Sequence, residues 1–147
     1  MRPRPRRGSL RSMSHPNEDR LRELYAAFAR GDLDGFLAGC TDDVTFTVPG
    51  GAAVSGAFTK ATFGQLVAPV MELSGGTFRE DVLDCFANDE HGVLLLLHRF
   101  DREGRHREYR TAHIVQLRDG KIATWQEHPG SPQEFEEAWG TAAVRQG

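Results

Sequence analysis

His113 lies in the stretch 108–117 and a carboxylate, Glu127, follows in the stretch 121–128. Both stretches read as strands. An imidazole beside a carboxylate on neighbouring strands is acid–base machinery: the carboxylate orients the ring and stabilises its charged form. In an apolar pocket, burial lowers a histidine's affinity for its proton, so His113 would act near pH 7 as a neutral donor or a base. Alternation puts Tyr109, Thr111, His113, Val115 and Leu117 on one face of their strand, and Arg110, Ala112, Ile114 and Gln116 on the other. On the next strand Trp125 and Glu127 share one face, and Thr124, Gln126 and His128 share the other. A two-residue Asp119–Gly120 turn by itself would set Gln126 beside His113, so the residues alone leave both registers open.

Other side chains are weaker candidates. His98 ends the run LLLLH and faces either a pocket mouth or the opposite side of its strand. Tyr25 lies on an apolar helix face, where its hydroxyl needs a partner. The histidines at 91, 98, 106, 113 and 128 show no H-x-H or H-x-x-x-H spacing, so no metal is expected. Neither a phosphate-binding glycine loop after a strand nor a G-x-S-x-G elbow occurs, and no cofactor is expected. Cys40 and Cys85 are too few and too far apart for a disulfide framework or a zinc motif.

The elements that must position these groups follow from pattern. Asn17 or Ser14 caps a helix starting near Glu18, with Leu21, Leu24, Tyr25 and Phe28 on its apolar face, ended by Gly31. Asp32 caps a short second helix, closed by Gly39. Residues 44–48, β-branched and aromatic, form a strand, and PGGAAVSG is a loop. A helix is expected from about Thr59 to Leu73, with Pro69 kinking it or stopping it near Val67. Strands over 77–88, 91–100, 108–117 and 121–128 follow, then a short helix in PGSPQEFEEAWG. Helices followed by antiparallel strands make an α+β layout, with helices on one face of a curved sheet. The mouth of such a sheet is a natural place for an apolar pocket.

Composition bounds the class. The 147 residues suffice for one domain, with 39% hydrophobic and 27% charged residues. The longest apolar run, Val93–Leu97, is too short to span a membrane. Five arginines lie in the first twelve residues, leaving 13 of the 18 basic residues against 21 acidic ones. The folded part is therefore acidic, which argues against a nucleic-acid surface. Residues 1–14 read as a disordered basic tail, residues 15–140 as the domain and 141–147 as a flexible end. The tail is either an arm for an anionic partner or sequence upstream of a start at Met13. With no secretory signal and reduced thiols, a cytoplasmic protein is expected.

The stretches LYAAFARGDLDGFLAGCTDDVTFTVPG, SGAFTKATF and HIVQLRDGKIATWQEHPG with its helical tail to Trp139 resemble the SnoaL-like branch of the NTF2-like superfamily, over roughly residues 17–140. The resemblance implies a cone-shaped, curved antiparallel sheet packed on the N-terminal helices. It also implies an apolar small-molecule ligand and a homodimer through the outer sheet face, where Arg110, Ala112, Ile114 and Gln116 would lie. Isomerases, aldol-type cyclases, epoxide hydrolases, dehydratases and non-catalytic members share the fold, so fold alone does not supply function.

The pattern of the related ketosteroid isomerases is incomplete here. Their base lies on the first strand just before a proline, where this chain has Val48. Their oxyanion-hole tyrosine matches Leu24, with Tyr25 next to it, and their protonated aspartate matches His113. The Asp–Arg–Asp set of the limonene-epoxide-hydrolase branch has no evident pocket-facing Asp pair, although Arg99 and Arg110 are available. The resemblance turns the His113 face toward the cavity, and a bulge common in the family turns Trp125 and Glu127 inward. His113 and Glu127 are therefore the catalytic candidates. Tyr25, Phe46, Val48, Phe63, Val67, Met71, His98, Thr111 and Trp125 are the expected lining. The implied activity is cofactor-independent acid–base chemistry on an apolar carbonyl compound: isomerisation, cyclisation or dehydration. The alternatives are a hydrophobic-ligand-binding module and a structural dimer with a filled cavity.

Overall fold

The computed structural model describes residues 14–141. The expected basic tail, apart from Ser14, and the C-terminal segment from 142 onward lie outside the described residues. Helix α1 spans Pro16–Ala29, α2 Leu33–Ala38, α3 Phe63–Leu73 and α4 Pro132–Trp139. The strands are β1 Cys40–Val48, β2 Gly56–Thr59, β3 Arg79–Ala87, β4 His91–Arg102, β5 Arg105–Arg118 and β6 Lys121–Pro129.

The cap of α1 is His15, not Asn17 or Ser14. Its Nδ1 accepts from the Asn17 amide at 3.0 Å, and Pro16 fills the first helical position, where a missing N–H costs nothing. Asn17 is instead buried and donates to the Asn88 carbonyl, tying the helix to the β3–β4 turn. Asp32 caps α2 through Oδ1 to the Gly35 amide at 2.9 Å.

The stretch before α3 departs from expectation. Gly56–Thr59 forms a short strand antiparallel to β1, pairing Gly56 with Val48 and Thr59 with Thr45. A reciprocal Thr59–Thr62 turn follows, and α3 begins only at Phe63. Four residues, mostly exposed and without apolar alternation, carry no strand signal of their own; the exposed edge of β1 supplies it. Pro69 does not stop α3, which continues to Leu73. Phe63, Leu66 and Val70 are buried along its inner face, and that burial outweighs one lost backbone bond.

Among the described residues the sheet has six strands in the order β2-β1-β6-β5-β4-β3. This corrects the expectation of a cone-shaped, purely antiparallel curved sheet. β1 and β6 run parallel, pairing Phe46 with Trp125, so the sheet is mixed. It is neither closed nor strongly curled: β2 and β3 are two separate edges that do not pair with each other. The reason is topological. The β3–β6 meander grows in one direction and returns its last strand alongside β1, which leaves its first strand at the far edge. The helices cover one face; Phe46, Leu94, Leu96, Phe100, Val115 and Ile122 of the sheet are almost fully buried beneath them, and Phe135 and Trp139 of α4 are buried against Tyr109 and Phe100.

Candidate functional site

Strand pairing assembles the site. His98 on β4 lies opposite Glu80 on β3 and Tyr109 on β5, and His113 on β5 lies opposite Glu127 on β6. A register shift between Gln116 and Leu117 turns β6 so that Trp125 and Glu127 point inward and Gln126 and His128 outward. From α1, Tyr25 reaches down onto this face and is 5% exposed. Leu24, one residue earlier, packs over Gly39 instead.

Two chains of hydrogen bonds with the same composition cross the site. In the first, Trp125 Nε1 donates to the Tyr25 hydroxyl at 3.0 Å, and that hydroxyl lies 2.6 Å from His113 Nδ1. In the second, Trp139 Nε1 donates to the Tyr109 hydroxyl at 2.7 Å, and that hydroxyl lies 2.8 Å from His98 Nδ1. An indole N–H can only donate, so each tyrosine oxygen accepts there, and the arrangement that also gives the buried hydroxyl proton an acceptor has it donating to the imidazole Nδ1. A neutral ring that accepts at Nδ1 carries its proton on Nε2. Both histidines thus present Nε2–H.

The two chains end differently. His98 Nε2 donates to Glu80 Oε2 at 2.7 Å. His113 Nε2 is buried and has no hydrogen-bond partner among the described residues. Glu127 Oε1 stands 3.8 Å from it, beyond hydrogen-bond reach. Glu127 is held by the Thr111 hydroxyl, which donates to Oε2 at 3.0 Å, and Oε2 lies 3.7 Å from His98 Nδ1.

Charge follows from these contacts. Burial pushes His98 toward its neutral form, but the hydrogen bond to Glu80 and the nearby Glu127 carboxylate outweigh it, and its pKa rises above the ordinary value. For Glu127, burial favours the neutral acid, yet His113, His98 and Thr111 together hold its pKa below the usual carboxylate value. Burial, with the carboxylates nearby, pushes the Tyr25 and Tyr109 hydroxyls well up, so both stay protonated.

A cavity of about 60 Å³ opens on this cluster, walled by aromatic and aliphatic side chains with Glu80, His98, His113 and Glu127 as its charged or titratable groups. Tyr25, Phe63, Val67 and Trp125 are on its wall as well. Through Phe28, Val67, Phe78 and Glu80 it adjoins an outer recess of about 420 Å³, and Met71, 41% exposed, lines that recess. Phe46 and Val48 are buried in the core and do not form the cavity wall. Thr111 acts on the site through Glu127.

Phe28, Phe36, Leu66, Val70 and Phe78 line the cavity outside the expected set, and Glu80 is the charged wall residue that the sequence reading missed. It sits in the charged run Arg79-Glu80-Asp81, which looks solvated, and only its alternation with Phe78 and Val82 signals an inward face. Strand pairing also brings together histidines that sequence spacing scatters: donor atoms of Glu80, His98 and His113 lie within 4.8 Å of one another. A metal would need a lone pair on both Nε2 atoms, and the tryptophan–tyrosine chains keep protons there. The tautomers suit an oxygen acceptor better than a cation.

The SnoaL-like domain family model matches residues 21–125. An uncharacterized protein of Mycobacterium tuberculosis (strain ATCC 25618 / H37Rv) is 30% identical over 127 residues, covering 82% of this chain and 94% of that one. Among solved structures, Bal32a from a soil-derived mobile gene cassette superposes with a TM-score of 0.76 at 21% identity, covering 84% of this chain and 95% of that one. An NTF2-like protein of unknown function from Burkholderia pseudomallei gives 0.75 at 24% identity, covering 85% and 98%. TerC, co-crystallized with polyporic acid, gives 0.74 at 22% identity, covering 84% and 98%. At these identities the structures speak for the fold.

Proposed function

The chain belongs to the SnoaL-like domain family within the NTF2-like superfamily, and on that premise we propose that it binds an apolar carbonyl compound and moves a proton next to the carbonyl. The observation that carries this reading is the buried, unpartnered Nε2 of His113 on the wall of an aromatic cavity. A buried donor without an acceptor costs about 1–3 kcal/mol, which a ligand oxygen would recover.

The roles divide by tautomer. His113 Nε2–H donates to the carbonyl oxygen and stabilises the enolate that develops there. Glu127, held ionised, takes the proton from the neighbouring atom and returns it elsewhere, giving isomerisation, cyclisation or dehydration. Tyr25 and Trp125 fix the His113 ring. No step in this scheme calls on a cofactor. The co-crystallized ligand of TerC supports an organic ligand in a fold of this shape.

Two parts of the reading concern the surroundings. The outward sheet face exposes Phe86, Leu95 and Ile114, which supports a homodimer through that face; a monomer by light scattering at micromolar concentration would count against it. Among the described residues no helix is long and apolar enough to cross a membrane. A cytoplasmic location is part of the proposal and is read by fractionation.

The test is a thermal-shift screen of the full chain against apolar ketones, quinones, epoxides and polycyclic aromatics, with each hit incubated and followed by mass spectrometry. A ligand bound only by the folded state must raise its stability. Enzyme action predicts product that disappears in Glu127→Gln while the shift remains. A shift with no product in the native chain assigns the second role, a hydrophobic-ligand-binding module.

A further inference from the structure

The cavity holds a donor and an acceptor side by side. His113 Nε2–H ends one chain with nothing to receive it, and Glu127 Oε1 lies 3.8 Å away with its other oxygen already engaged by Thr111. We infer that the ligand is a neutral, planar α-hydroxy carbonyl compound, with the carbonyl oxygen on His113 Nε2–H and the adjacent hydroxyl donating to Glu127 Oε1. The inference rests on the proposed reading in one respect only, that His113 takes the carbonyl oxygen.

Three observations lead to that ligand class. The first is the companion chain. There the protein supplies its own acceptor, Glu80, to the equivalent Nε2–H of His98. The counterpart carboxylate of the His113 chain, Glu127, stands 3.8 Å off and is turned to Thr111, so an acceptor from outside completes the chain.

The second is charge. Glu80 and Glu127 put two carboxylates on the cavity wall, with the His98 ring between them. The cavity already leans negative, so an anionic ligand group beside Glu127 would be repelled. A neutral carbonyl satisfies His113, and a donor satisfies Glu127.

The third is spacing. One ligand oxygen bonded to both groups at about 2.8 Å would see them at only about 85°, narrow for a hydroxyl. Two oxygens on neighbouring carbons each make one bond without that compression. A lactam or carboxylic acid carries its acceptor and donor on a single carbon, closer together than oxygens on neighbouring carbons and so a poorer match to the 3.8 Å between the protein groups. The cavity's 60 Å³ takes only the two-oxygen end of the ligand, and a flat apolar ring carrying it would extend between Phe28, Val67 and Phe78 into the adjoining recess of about 420 Å³.

Matched bicyclic probes test this on the full chain by calorimetry and thermal shift: 3-hydroxychromone, chromone, 3-methoxychromone and the lactam isoquinolone. The expected result is that 3-hydroxychromone binds at least about tenfold tighter than chromone and 3-methoxychromone, because the latter two leave Glu127 without its donor. Glu127→Gln should shrink that preference while chromone affinity changes little. Equal affinity for chromone and 3-hydroxychromone, with both weakened in Tyr25→Phe, overturns the α-hydroxy inference and leaves the carbonyl reading standing. Tighter binding of isoquinolone assigns the site to an amide and also overturns it. Failure of all four probes to bind at millimolar concentration overturns the inference and the carbonyl reading together.

Discussion

His98 and His113 face each other at 5.6 Å between ring centres, each anchored at Nδ1 by a tyrosine that is itself anchored by a tryptophan, and they differ in what meets Nε2. His98 meets the Glu80 carboxylate and His113 meets the cavity. The difference separates a histidine whose Nε2 the protein itself engages from one free to serve a ligand.

Tyr25→Phe tests the tautomer. Without the hydroxyl, Trp125 Nε1–H and His113 Nδ1 lose their shared partner, at a cost of about 1–3 kcal/mol in stability. The His113 proton, no longer directed to Nε2, redistributes between the nitrogens. Nitrogen-15 spectra of the ring should show mainly the Nε2–H form in the native chain and a mixture in the variant. A native spectrum dominated by Nδ1–H would reverse the donor assignment.

Glu80→Gln tests the source of the His98 charge. The amide oxygen still accepts from Nε2, but the negative charge is gone, so the His98 pKa should fall. Proton NMR titration of the ring reads this directly. An unchanged midpoint would mean that Glu127 alone sets the charge.

Stability should depend on pH through the same pair. His98 has a folded pKa raised above 6.5, so its contribution is complete below that value and is lost as pH rises through the folded pKa. Glu127 has a folded pKa below 4.5, so its contribution is complete above that value and is lost as pH falls through the folded pKa. Both are complete between about pH 4.5 and 6.5, where urea midpoints should be highest. In His98→Gln the alkaline decline should flatten. A decline of equal slope in that variant would assign it to other groups.

Val48→Asp places a carboxylate where the related isomerases keep their base. Val48 is 3% exposed in the core, off the cavity wall, so the new carboxylate would be buried without a partner. The variant should lose several kcal/mol of stability, read as a lower urea midpoint, and gain no isomerase activity. Ketosteroid turnover by this variant would show that the first strand still addresses the cavity.

Zinc added to the full chain should leave the melting temperature unchanged, since the nitrogens at the Glu80–His98–His113 cluster hold protons. A clear rise, lost in His98→Gln, would show that the tyrosines can turn from donors to acceptors and yield both Nε2 atoms to a metal.

The chain's own pattern determined its elements. Apolar residues at helical spacing mark α1 and α2, alternation and the Asp119–Gly120 turn mark β5 and β6, and the stretches around them mark the family. The short β2 was not legible, because its four residues hold strand conformation only by pairing with β1. The open, mixed sheet was not legible either, since the parallel pairing of β1 with β6 joins segments distant in sequence. The candidate site divides in the same way. His113 and Glu127 stand out by residue type, but which face Glu127 takes depends on one bulge at Gln116–Leu117. That Tyr25 and Tyr109 donate, that Glu80 answers His98, and that His113 is left without an acceptor are decided by long-range contacts between six elements. A side chain's type is local, whereas its proton's position depends on which atoms the fold brings within hydrogen-bond distance.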